Sequence, residues 1–156
     1  MEDEENKNID QISLKYKYND SDILENDDIL RNLSAECYID LDYLEDKIDE
    51  LLDNLKQYNG NKKKEVQKYI IQMNELSNYC KSSKKDIMKN DIYYSKVICN
   101  IQDNYKQYST CYNMEQTCKK AIKEILDLKI KEFIKYDKII INNYDLIKNI
   151  NKDLNF

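Results

Sequence analysis

The sequence predicts an all-α protein: an elongated antiparallel bundle or coiled coil of about three long helices behind a disordered acidic N-terminal tail. The first observation is the scarcity of chain breakers. The 156 residues contain no proline and one glycine, Gly60, where an average domain of this length would hold roughly 8 and 11. Sheet hairpins and the short loops of parallel α/β folds both depend on those residues, so long helices are what remains. The second is periodicity, since apolar residues recur at helical spacing from residue 22 to the end. The third is charge. Residues 1–57 carry a net −12 and residues 58–156 a net +7 within a total of −5, and opposite fields favour folding one part back on the other.

Residues 1–21 read as a disordered acidic tail, and residues 22–156 as a single helical domain. Within the tail, Ile12-Ser13-Leu14-Lys15-Tyr16-Lys17-Tyr18 alternates apolar and polar as a strand does, yet an isolated strand has no partner in this chain. Such a segment reads either as tail without fixed structure or as a motif that adds to another protein's sheet edge.

The first helix is expected near 22–58. Leu30, Cys37, Leu44, Leu51 and Tyr58 fall on one seam position, with Ser34, Leu41, Ile48 and Leu55 on the other. Leu33, Tyr38 and Leu52 widen the stripe to the width a bundle helix needs. The seam stops at Asn59-Gly60-Asn61, where the glycine can take the left-handed conformation that closes a helix.

A second helix is expected near 62–108. Val66, Met73, Cys80, Ile87, Tyr94, Ile101 and Tyr108 keep one heptad position, and Tyr69, Leu76, Val97 and Cys111 keep the other. Ser83, Asn90 and Asn104 interrupt that second position, and each either fixes register or breaks the seam. Ser83 with Asp86 has capping-box spacing, which favours a break there. Asn113 with Gln116 has the same spacing and opens a third helix near 113–153. Its stripe shifts phase to Leu126, Ile130, Phe133, Ile140, Tyr144, Ile147 and Leu154, flanked by Ile134, Ile141 and Ile150.

Catalysis lacks its usual tools. Histidine, the common general base near neutral pH, is missing, and one glycine cannot build a phosphate loop or a nucleophile elbow. The reading is therefore no enzyme, with no catalytic residue, metal site or cofactor. Cys37, Cys80, Cys99, Cys111 and Cys118 are spaced too widely for a zinc knuckle and read as reduced thiols, several of them packing as small hydrophobes. The acidic start and the lack of a long apolar run predict a cytoplasmic or nuclear address.

Two surfaces are candidates for binding. The last helix has the broadest apolar face, which nominates Phe133, Ile140, Ile141, Tyr144 and Ile147 for partner contact. Lys62, Lys63, Lys64, Lys68, Lys84 and Lys85 form a basic surface for phosphates, anionic lipid or microtubules. Arg31 is the sole arginine, so the bidentate fork that reads bases is nearly missing and sequence-specific nucleic acid is not an expected partner. The function expected is a coiled-coil scaffold or adaptor subunit of tethering, kinetochore or cytoskeletal type, binding other helical proteins in a hetero-oligomer. The alternatives are a SNARE-like regulatory three-helix bundle and an electrostatic binder of membrane or microtubule through residues 62–89.

Overall fold

A computed structural model describes residues 15–156. Those residues form three long helices, α1 (Ile29–Lys56), α2 (Lys63–Gln107) and α3 (Met114–Leu154). No strand occurs among the described residues. The helices hold 28, 45 and 41 residues, about 42, 67 and 61 Å at 1.5 Å per residue. All three pack against one another, around a shared core that includes Leu41, Leu44, Ile48, Met73, Cys80, Ile98, Ile122 and Leu126.

In α1 the expected seam is the buried one: Leu30, Cys37, Leu41, Leu44, Ile48, Leu51 and Leu55 all lie inside, with Leu33 and Leu52 beside them. The helix starts at Ile29 rather than near residue 22. Asn26 explains the delay, because its side chain accepts a 3.0 Å hydrogen bond from the Asp28 backbone N–H and stabilises a turn in place of helix.

The turn after α1 is built differently from expectation. Gly60 does not adopt positive φ. Its lack of a side chain matters because a Cβ there would collide with the Tyr58 phenol ring, whose hydroxyl accepts a 3.0 Å hydrogen bond from the Lys62 backbone N–H. The glycine makes room for an aromatic clasp.

Helix α2 runs unbroken through Ser83, so the expected break is absent. Ser83 is buried, and Asn90 turns its side-chain amide back to the Asp86 carbonyl at 2.8 Å. The fixed heptad phase also fails in the second half. Ser95, Ile98 and Gln102 are buried, while Asn104 and Tyr108 are exposed. Val66 and Gln102 lie 36 positions apart, about ten turns at 3.6 residues each, so a straight helix returns them to one face. A seven-residue frame holds only if the helix supercoils, and here it drifts by one position instead.

Asn113 precedes α3 in the left-handed conformation and makes no side-chain cap. Its φ of 64° turns the chain, a role Asn fills more readily than most residues.

The chain before α1 is a further difference. Residues 15–21, read as part of a disordered tail, lie along the bundle as a strap. Tyr16 is 3% exposed, and Ile23 and Leu24 just beyond are buried as well. The strap lies beside the middle of α1, where Lys15 pairs with Asp40, and against Phe133 of α3. Ile12, Ser13 and Leu14 of the strand-like motif lie outside the described residues.

Candidate functional site

Three helices enclose three surface grooves, and the chain treats each differently. Between α1 and α3 the strap is the filling. The Tyr16 ring sits 5.4 Å from Phe133 and its hydroxyl donates to Asp137. Lys15 pairs with Asp40 and lies 3.7 Å from Asp137, Tyr18 donates to Asp127 at 2.8 Å, and Lys123 pairs with Asp20 at 3.0 Å. At the far end the Gln102 side-chain amide donates to the Ile23 and Asn26 carbonyls, both at 3.1 Å. Buried backbone acceptors are thereby satisfied.

Between α2 and α3 the contact is closed by a polar layer. The Lys129 ammonium is buried, donates to Asn90 Oδ1 and Glu132 Oε2 at 3.2 Å each, and stands 3.9 Å from the centroid of the Tyr94 ring. A cation over an aromatic face is attracted by the ring quadrupole.

Between α1 and α2 an open groove of about 370 Å³ remains. Ser34 and Ile87 form its floor, Ala35, Tyr38 and Ile39 one wall, Met88 the other, and Arg31 and Asp91 stand at its margins. Ile39 is 63% exposed and Met88 53%. One end is fixed by Lys84, whose ammonium lies 2.8 Å from Asp42, 2.5 Å from Glu45 and 5.4 Å from the Tyr38 ring centroid. Hydrogen bonds to Asp42 and Glu45 raise the Lys84 pKa above its ordinary value, so it stays charged as the clamp that ties α1 to α2.

The outer ridge of α2 continues from this groove. Lys81, Lys85, Met88, Lys89, Ile92 and Lys96 are all exposed, and steps of three and four residues place them on one face of the helix. The outer flank of α1 has the opposite sign, with Asp42, Asp46, Asp49, Glu50 and Asp53 exposed.

The residues nominated from sequence are distributed unevenly. Phe133, Ile140 and Ile147 are buried in the chain's own core, which corrects their nomination for partner contact. Ile141 and Tyr144 are half-buried against that core, with the Tyr144 ring 5.9 Å from Tyr43. The stripe of α3 is broad because it covers two helices and the strap at once. On the basic side, Lys63, Lys64, Lys68 and Lys85 are exposed. Lys84 is the inward clamp already described, and Lys62 pairs with Asp153 at 2.7 Å, which removes both from the nominated free surface.

Ile39, Met88 and Ile92 were not nominated, although a signal existed: each is a large apolar side chain at an outward position of its heptad frame. Cys37 and Cys80 are fully buried, and burial pushes their thiols up to about 12 and about 11. Cys111 is exposed. Among the described residues no helix is long and apolar enough to cross a membrane.

No protein-family model matches this sequence, and neither a curated protein nor a solved structure is significantly similar to it.

Proposed function

We propose that this chain is a non-catalytic scaffold or adaptor subunit of a multi-protein assembly and acts by holding partner helices. The observation that carries the reading is the open groove between α1 and α2, where Ile39 and Met88 are exposed side chains on one apolar depression. Contiguous apolar surface on a bundle whose other grooves are filled is costly to leave in water, and covering it is worth about 25 cal/mol per Å². The absence of histidine and the near absence of glycine argue for holding rather than for chemistry. Long stable helices with charged outer ridges suit an architectural part, since they fix both the spacing and the orientation of what they bind.

The test is the hydrodynamic size of the chain in an extract of its own cells. A scaffold subunit sediments far ahead of its own 18.8 kDa mass, at low and at moderate salt. A chain that sediments alone at its own mass in that extract contradicts the reading.

A further inference from the structure

We propose that the groove between α1 and α2 is the docking site for a single amphipathic helix of a partner protein. Its apolar edge would enter between Ile39 and Met88, and its acidic flank would lie along the lysine ridge of α2. This rests on the scaffold reading and names the site and the chemistry of the partner.

Shape is the first argument. A groove between two antiparallel helices is long and concave, and a third helix, about 10 Å across with its side chains, lies in it with anchors at i, i+3 or i+4, and i+7. The floor is apolar where such anchors would reach, at Ile87, with the small Ala35 on the α1 wall leaving room beside it. Met88 adds an adaptable wall. The equivalent groove between α1 and α3 is already filled by the chain's own strap, with Tyr16 as its buried anchor. Among the described residues no segment fills the α1/α2 groove in the same way.

Charge complementarity selects the occupant. Arg31 stands at the margin of the groove but is paired with Asp28 at 3.3 Å, so the free charge among the described residues is that of Lys81, Lys85 and Lys89, which follow the α2 side on the same exposed face as Met88. Asp91 is the one acid lining it, and its carboxylate accepts a 3.0 Å hydrogen bond from the Ser95 hydroxyl. An acidic flank laid on the α2 side of the groove therefore meets matching charge, and a basic flank laid there meets repulsion.

The same charges disfavour a flat anionic membrane. A membrane touching the α2 ridge would also meet the exposed Asp42, Asp46, Asp49, Glu50 and Asp53 on the outer flank of α1, whereas a slender helix need not cover them. A second copy docking through this same patch would bury the apolar walls of both grooves, and sedimentation equilibrium of the chain alone separates that outcome from a partner helix.

The experiment uses the full chain and three probes. The first is a fluorescein-labelled synthetic amphipathic helix with leucines along one edge and glutamates beside them, compared with a twin carrying lysine in place of each glutamate. Saturable binding of the glutamate peptide is expected, with the twin at least about tenfold weaker at moderate salt. Met88→Glu should weaken the glutamate peptide by about tenfold or more, and Lys85→Glu with Lys89→Glu should reverse the preference between the twins. Ile71→Glu is the control, since Ile71 is equally exposed on α2 but does not line the groove. All these positions are exposed, and circular dichroism checks that the variants keep their helices.

The other probes are vesicles of phosphatidylcholine with phosphatidylserine, and sedimentation equilibrium of the chain alone. Equal binding of the twins, or equal weakening by Ile71→Glu and Met88→Glu, overturns the proposal. So does vesicle binding, or self-association, that Met88→Glu abolishes. If the peptide fails but the chain and its Met88→Glu variant both remain in a large assembly in extract, the groove is retired and the scaffold reading stands. A chain that sediments alone in extract removes both.

Discussion

The Tyr16 hydroxyl donates a 2.7 Å hydrogen bond to the Asp137 carboxylate across 121 positions of sequence. This contact fastens the strap over the groove between α1 and α3, with both partners almost wholly buried. The other carboxylate oxygen of Asp137 is buried without a hydrogen-bond partner among the described residues. Replacing Tyr16 with phenylalanine keeps the ring against Phe133 but withdraws the donor, which should cost about 1–3 kcal/mol. Tyr16→Ala also opens a cavity and should cost about 3–5 kcal/mol. Urea unfolding curves of the three proteins, compared at constant slope, measure both losses.

Burial is the dominant influence on Asp137 and raises its pKa above the ordinary carboxyl value, although the Tyr16 hydrogen bond and Lys15 pull the other way. A carboxyl whose folded pKa exceeds its unfolded value favours folding most where it is protonated. That contribution is complete below the unfolded pKa and is lost as pH rises through the folded one. Asp137→Asn can still accept from Tyr16 and has no proton to lose. Its melting temperature relative to wild type should therefore be more favourable at pH 8 than at pH 4, and a difference independent of pH would refute the assignment.

The five cysteines divide by environment. Cys37 and Cys80 are fully buried thiols raised to about 12 and about 11 by burial, whereas Cys111 is exposed in the turn before α3. Thiolate is the reactive form. A chromogenic disulfide reagent at neutral pH should label Cys111 first and reach Cys37 and Cys80 only at the rate at which the bundle opens. Mass spectrometry of the labelled peptides assigns each phase, and prompt labelling of Cys37 would contradict the packing described here.

Lys129 is a charge held inside a helix interface by Asn90, Glu132 and Tyr94. Buried ionic groups often add less stability than well-packed apolar replacements, but orphaning one is expensive. Lys129→Met should leave stability within about 1 kcal/mol of wild type or increase it. Asn90→Leu, which removes an acceptor and leaves the ammonium in place, should cost about 1–3 kcal/mol. In the double variant the cost of Asn90→Leu should shrink, and thermal unfolding of the four proteins completes the cycle.

Much of the fold was legible in the sequence. The scarcity of glycine and proline, the seam of Leu41, Leu44, Ile48 and Leu51, and the three-helix order all survive in the structure. So does the opposition of charge, seen locally where Lys84 of α2 reaches Asp42 and Glu45 of α1. What escaped has a common physical origin, namely tertiary context overriding a local pattern. Ser83 has the spacing of a helix start, yet it is buried within α2, and packing outweighs a capping preference of about 1 kcal/mol.

Lys129 and Asp137 carry the composition of a solvated face, and only their partners Asn90 and Tyr16 show why they lie inside. The candidate site was less legible than the fold. Pattern reading seeks apolar residues on seams, and the largest seam, on α3, is consumed by the bundle itself. The groove is formed instead by residues such as Ile39 and Met88 that no seam explains.

The docking surface can be located on the native assembly by lysine-directed cross-linking of the chain bound to its partners, with each cross-link read by mass spectrometry. Partner cross-links are predicted at Lys81, Lys85, Lys89 and Lys96, all exposed on α2. Cross-links gathered instead on the exposed Lys131, Lys138 and Lys148 of α3, with the α2 lysines reacting as they do in the free chain, would contradict the assignment of the groove.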